Sequence, residues 1–190
     1  MCAGFSAFSN PSSVTYRMQQ NISLVKLDTL VSDDYEAMTY REIGPNEFGY
    51  FKTVYEEKDE SNRLCKDCHK EFVSRWNPNK KVIDYHLSAN FEKPINAGLK
   101  EATYHGVNVI NEAFKDAGTD MRIKLHDADS NLIEGDIRKN LIVMVEDPIR
   151  RGLLGYGPSI TNPMTGEIIH ARTVMFPGVM KVFILSLIHI

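Results

Sequence analysis

Between residues 82 and 175 the spacing of apolar positions changes period several times, and each change marks an element. Val82 to Leu87 places Ile83, Tyr85 and Leu87 on one side, the alternation of a strand. Pro94, well suited to a first helical position, opens the longest helix. Its apolar stripe is Ile95, Leu99, Ala102, Gly106, Ile110, Ala113 and Phe114, and Gly118 is a natural stop. Gly98, Ala102 and Gly106 stand four apart, so this face is expected to lie close against a sheet. Met121 to Leu125 alternates again, with Met121, Ile123 and Leu125 inward and Arg122 and Lys124 outward. Asp127 to Gly135 reads as a polar loop. Leu141 to Val145 is continuously apolar, as in a central strand covered on both faces. A turn at Asn162-Pro163-Met164-Thr165-Gly166 leads into a last strand, Glu167 to Met175. This order predicts an α/β (α+β) layer, a mixed sheet with one long packed helix.

The first half is less regular. Ser23 to Leu27 and Phe48 to Phe51 are expected as short strands, with turns at Asp33–Tyr35 and Gly44–Asn46. Leu64, Cys68, Phe72 and Trp76 recur every four residues after the capping candidates Ser61 and Asn62. That spacing predicts a helix, stopped by Asn77-Pro78-Asn79.

The chain's 190 residues suit one domain, or a small domain with an appended segment. A net charge of -3 and the absence of a basic run argue against general nucleic-acid binding. The three cysteines are too few, and odd in number, to read as a disulfide framework. Met1 is followed by polar and small residues with no signal-peptide pattern, and the apolar Val182–Ile190 is too short to span a membrane.

Three stretches carry a resemblance. Val107-Asn108-Val109-Ile110-Asn111-Glu112-Ala113-Phe114, running on to Ala117-Gly118, is similar to a "W-N-x-A-F-x-x-A-G" helix, with Ile110 in place of the Trp. Gly135-Asp136-Ile137-Arg138-Lys139-Asn140 matches a "D-x-R-x-N" approach to a central strand. Gly155-Tyr156-Gly157-Pro158-Ser159 followed by Asn162-Pro163-Met164-Thr165-Gly166-Glu167-Ile168 resembles "GYGPS…(D/N)P-x-TGEI". All three belong to a family of large bacterial zinc-dependent metalloproteases, and the likeness covers roughly residues 45–181.

The resemblance implies a zincin-like N-terminal layer at 80–181, preceded by a segment at 1–79. It implies zinc as cofactor, a peptide or protein substrate, and an exported or envelope-associated enzyme. In such proteases an edge strand beside the cleft pairs with the substrate's main chain. By that resemblance Glu167, Ile168, Ile169, His170 and Ala171, within a strand running to Thr173, are the candidate substrate edge. In the family, a later helix bears H-E-x-x-H: two imidazoles one helical turn apart hold Zn²⁺, and the Glu takes a proton from the metal-bound water. The sequence contains no His-Glu pair, and none of its six histidines stand four apart. It is therefore expected to be a front portion, inactive alone, with no catalytic residue of its own. The last six residues, Leu185 to Ile190, match the translation of CTG TCT CTT ATA CAC ATC, a transposase end used in library preparation. They are expected to be a non-native tail at 185–190. A domain interrupted here is expected to expose Met175, Phe176, Val179, Val182 and Phe183.

A second chemistry competes. Cys65-Lys66-Asp67-Cys68-His69 has the C-x-x-C-H pattern of covalent haem attachment, and Cys65, Cys68 and His69 are also a possible zinc-ligand set. Packing of the two cysteines on the apolar side of the expected helix is the plainer alternative. Asp127–Asn131 begins like a calcium loop, but Leu132 stands where that loop needs Gly and Arg138 where it needs Glu. Gly155-Tyr156-Gly157 lacks the third glycine of a dinucleotide fingerprint.

Overall fold

The computed structural model describes residues 20, 22–41, 49–59, 61–146 and 153–178. The turn expected at Gly44–Asn46, the tail at 185–190, and Val179, Val182 and Phe183 lie outside the described residues. The architecture is mixed α+β, with two sheets and one long helix. Strands β1 (Lys52–Lys58) and β2 (Leu64–Val73) form an antiparallel hairpin. The second sheet holds β3 (Val82–Leu87), β4 (Arg122–His126), β5 (Asn140–Met144), β6 (Gly155–Tyr156), β7 (Ser159–Thr161) and β8 (Ile168–Met175). Its order is β4-β3-β5-β8-β6, with β7 also beside β8. The first four strands of that order are parallel, while β6 and β7 run antiparallel to β8. Helix α1 (Ala97–Asp116) is the crossover that parallel β3 and β4 require.

The strands expected from Val82 onward form as expected, and β5 is central and buried along its whole length. Alternation on β5 divides its side chains between two cores. Ile142 and Met144 join Leu87 and Phe91 on the face where Leu99 and Tyr104 of α1 pack. Leu141 and Val143 join Val174 and Phe176 on the other face, with Leu132 and Val145 against them. A central strand loaded this way needs apolar residues at every position, which is why 141–145 shows no alternation.

Four expectations are corrected. Leu64, Cys68 and Phe72 lie on a strand, not a helix, and Trp76 lies beyond its end. Positions four apart share a face in a strand too, because four is a multiple of two. Asn62, taken as a helix cap, instead adopts φ 60 in the turn joining β1 to β2. The Asp59 carboxylate accepts from the main-chain N–H groups of Ser61 and Arg63 at 2.8 and 2.9 Å, closing that turn. Ser23 to Leu27 is not a strand and gives way to a 3₁₀ turn at Leu27–Thr29, and no strand forms over 49–51.

The helix stripe is rotated from its expected setting. Leu99, Thr103, Tyr104, Val107, Asn111 and Phe114 turn inward, whereas Ile95 and Ile110 are exposed. A Cβ added at Gly98 or Gly106 would meet nothing within 4 Å, so these glycines permit no close approach. The inward face carries Asn111, which an apolar count passes over. Its amide accepts from Ile123 N at 2.7 Å and donates to Ile123 O at 2.9 Å, satisfying main-chain groups of the edge strand β4. Gly118 does end the helix, with φ 74. Finally, Phe176 is buried and Met175 is half-buried, against the exposure expected of them. The reason is local: β6 covers that end of β8, and Phe176 N donates to Leu154 O.

Candidate functional site

Most of the chemistry-bearing sequence converges on β8 and the strands beside it. The stretch Leu154–Thr161 runs back along β8 as one interrupted antiparallel strand, pairing Gly155 with Met175, Tyr156 with Val174, and Ser159 with Ala171. Gly155 is required by contact, since a Cβ there would lie 2.6 Å from Val174 O. Pro158 has no N–H to offer, and its carbonyl accepts from Arg172 N at 2.9 Å. The Asn162–Gly166 turn is closed by Gly166 N donating to Asn162 O, with Met164 N donating to Asn162 Oδ1. Gly166 adopts φ 79, and a Cβ there would strike Val73 O at 2.6 Å. The same turn thus seats the base of the β1–β2 hairpin. Arg75 N donates to Gly166 O, Ile168 N donates to Arg75 O, and Thr53 Oγ1 reaches Thr161 Oγ1 at 2.8 Å.

The expected substrate edge at Glu167, Ile168, Ile169, His170 and Ala171 is therefore misplaced. This stretch is inside the sheet, with β7 on one side and Arg75 and Asn140 on the other. Its main-chain groups already have partners: Ala171 N donates to Asn140 Oδ1 at 2.8 Å, and Ile168 N to Arg75 O. Glu167 is buried, and its carboxylate accepts from Ser32 N at 3.1 Å and Ser32 Oγ at 2.5 Å. His170 is also buried, and burial pushes its imidazole pKa below the usual range.

The margin on this side of the sheet is Leu154–Thr161. Pro158 O points inward to Arg172, and Ala171, opposite Ser159, sends its N–H the other way to Asn140. The alternation of an antiparallel ladder therefore turns the main-chain groups of Ser159 outward. Among the described residues no strand pairs with that outer margin, and Tyr156 and Ile160 on it are exposed.

The "D-x-R-x-N" stretch proves to be sheet architecture. Arg138 pairs with Asp136 through two side-chain bonds at 2.9 and 2.7 Å, and holds its carboxyl at a pKa of about 2. Asn140 links three strands, donating to Asp84 O on β3 at 2.9 Å while accepting from Ala171 on β8.

The C-x-x-C-H stretch lies on β2, in the hairpin. Cys65 and Cys68 are joined by a disulfide, so neither thiol is free to add to a haem vinyl in this state. One grouping escaped sequence reasoning altogether. The parallel register sets His86 opposite His126, with ring centroids 4.8 Å apart, and His126 Nε2 lies 2.6 Å from Asp84 Oδ1. Only the pairing of β3 with β4 brings these residues together, and no spacing along the chain signals it. Among the described residues no group of three or more His, Cys, Asp or Glu is arranged to hold a metal ion. No helix among them is long and apolar enough to cross a membrane. No protein-family model matches the chain, and no curated protein or solved structure matches it either.

Proposed function

We propose that residues 80–178 are the sheet-and-helix layer of a zinc-dependent metalloendopeptidase, with the outer margin of β6 and β7 as the line on which a peptide substrate adds as a further strand. The observation that carries this reading is the Gly155–Ile168 stretch. Its sequence resembles the protease segment, and in the fold its first part, Gly155–Thr161, forms a sheet margin with the main-chain groups of Ser159 turned outward. Such a margin offers a peptide main-chain hydrogen bonds, while the exposed Tyr156 and Ile160 flank its side chains. The substrate line thus moves from β8, proposed on sequence grounds, to the strand outside it.

Zinc would be held, and water activated, by an H-E-x-x-H helix that the 190 residues do not contain. The role left to these residues is to orient the scissile segment. The test is to read the parent DNA past residue 184, then express the extended protein. The expected result is an H-E-x-x-H motif, stoichiometric zinc and cleavage that a chelator abolishes. In that protein Ser159→Pro removes one outward N–H at an edge position that tolerates proline, and should raise KM more than it lowers kcat. Parent DNA without the motif, or peptide cleavage with bound zinc by the purified 190-residue chain, overturns the reading.

A further inference from the structure

The β1–β2 ladder is irregular at one place. Glu56 pairs with His69, and Lys58 pairs with Leu64. Two steps along β1 therefore correspond to five along β2, and the extra residues leave the ladder between Leu64 and His69 as an excursion. The Cys65–Cys68 disulfide closes the excursion, with the two Cα atoms 5.1 Å apart. Below it, Val54, Glu56, Leu64, Cys65, His69 and Glu71 line one groove of about 540 Å³. His69 sits directly across from Glu56, and its Nε2 is 3.9 Å from Glu71 Oε1. Glu71 already accepts from Lys52 Nζ at 2.6 Å. The Cys65 sulfur, the His69 imidazole and the carboxylates of Glu56 and Glu71 therefore share one exposed concavity, and the disulfide ties Cys68 to Cys65 beside it.

We propose that this hairpin is a redox-gated zinc site: closed by the disulfide when oxidised, it binds one Zn²⁺ through Cys65, Cys68, His69 and Glu56 when reduced. The inference stands apart from the protease reading and uses none of its residues. The gating step is an exchange with a dithiol of the surroundings. The dithiol is oxidised to its own disulfide, and two electrons and two protons arrive at Cys65 and Cys68 as thiols. Zinc then displaces those two protons to solvent and is held by two thiolates, a neutral imidazole and a carboxylate. Zn–S bonds of about 2.3 Å at tetrahedral angles need sulfurs about 3.8 Å apart, beyond bonding distance, so the disulfide and the metal exclude one another. The short C-x-x-C spacing keeps both sulfurs within reach of one ion, and the loop outside the ladder can open without breaking strand pairs.

The test uses the full 190-residue chain carrying Cys2→Ser, so that the only thiols are those of the pair. Cobalt(II) is the probe. The oxidised chain should show no thiolate-to-cobalt charge-transfer band. After opening of the disulfide by a phosphine, which leaves as its oxide, one equivalent should bind with that band and be displaced by zinc. Cys65→Ser should abolish the band. Glu56→Gln, at an exposed position that leaves the ladder intact, should weaken binding by about tenfold or more. Far-UV circular dichroism of each variant separates lost ligation from lost folding. Three results would each overturn the proposal: no binding by the reduced chain, equal binding by the oxidised chain, or binding that survives Cys65→Ser with Cys68→Ser.

Discussion

The six-stranded sheet and the two-stranded hairpin hold their shape by different means. In the sheet, β5 is buried on both faces, and polar side chains such as Asn140 and Asn111 act as substitutes for main-chain partners. In the hairpin, the solvent-facing side chains of β1 alternate with half-buried ones, and the bonds are mostly ladder, turn and disulfide. At its base the 162–166 turn meets Val73 and Arg75, and residues 38–40 bridge to Glu71–Val73 of β2. A tightly packed layer is stable because each residue supports several others, whereas a two-stranded ribbon depends on whatever holds its base. The two proposals divide along the same line: the sheet margin would offer main-chain groups to a peptide, and the hairpin would offer the side chains of Cys65, Cys68, His69 and Glu56 to a metal once reduced.

The largest expected effect separates the two regions directly. Leu141→Ala removes a fully buried side chain from β5 and should cost about 2–5 kcal/mol in urea unfolding. Val54→Ala, at a half-exposed position on β1, should stay within about 0.5 kcal/mol. Equal losses would mean that the hairpin and sheet share one core.

A smaller loss is expected from Asn140→Ala, which strands Asp84 O and Ala171 N inside the sheet. Leaving such groups without partners should cost about 1–3 kcal/mol. Amide exchange should quicken at Ala171 and leave the β1–β2 ladder unchanged. Faster exchange in the hairpin would show that the two sheets open together.

The mildest test is pH. Burial lowers the pKa of His170, and burial with the neighbouring His126 lowers that of His86, both from 6.5. Their neutral forms favour the folded state. The associated stability is complete above 6.5 and is lost as pH falls from there through the depressed folded values, because the unfolded chain takes up protons first. Asp136 contributes in a separate window, with stability present above 3.8 and lost as pH falls toward about 2. Unfolding midpoints measured against pH should show the two declines apart. His170→Gln should flatten the upper one, and an unchanged slope would remove His170 from it.

The helix at 64–76 failed, and the strand at 141–145 succeeded, for the same physical reason. A spacing of four is compatible with both helix and strand, so the apolar residues of β2 could not decide. Asn62 could have decided, since an Asn at a left-handed turn position is a hairpin signal as much as a cap. A continuous apolar run bounded by polar residues, by contrast, has few uses other than a central strand. Gly166 was legible as a turn residue, whereas Gly155 proves to sit on a strand, and the necessity of neither was legible: Val174 O and Val73 O, which exclude a Cβ at Gly155 and Gly166, come from distant parts of the chain.

By itself the sequence determined the strand-helix-strand order after Val82, the stop of the long helix at Gly118, and the chemical types present: C-x-x-C-H, the glycines of the 155–166 stretch and the missing His-Glu pair. Tertiary structure alone decided that Glu167–Ala171 lies inside the sheet, that Ser159 turns outward, that His86 meets His126, and that Glu56 faces His69. The division follows from the range of the forces. Periodicity and turn chemistry act between near neighbours, whereas an edge, a register or a ligand set exists only once remote strands have paired.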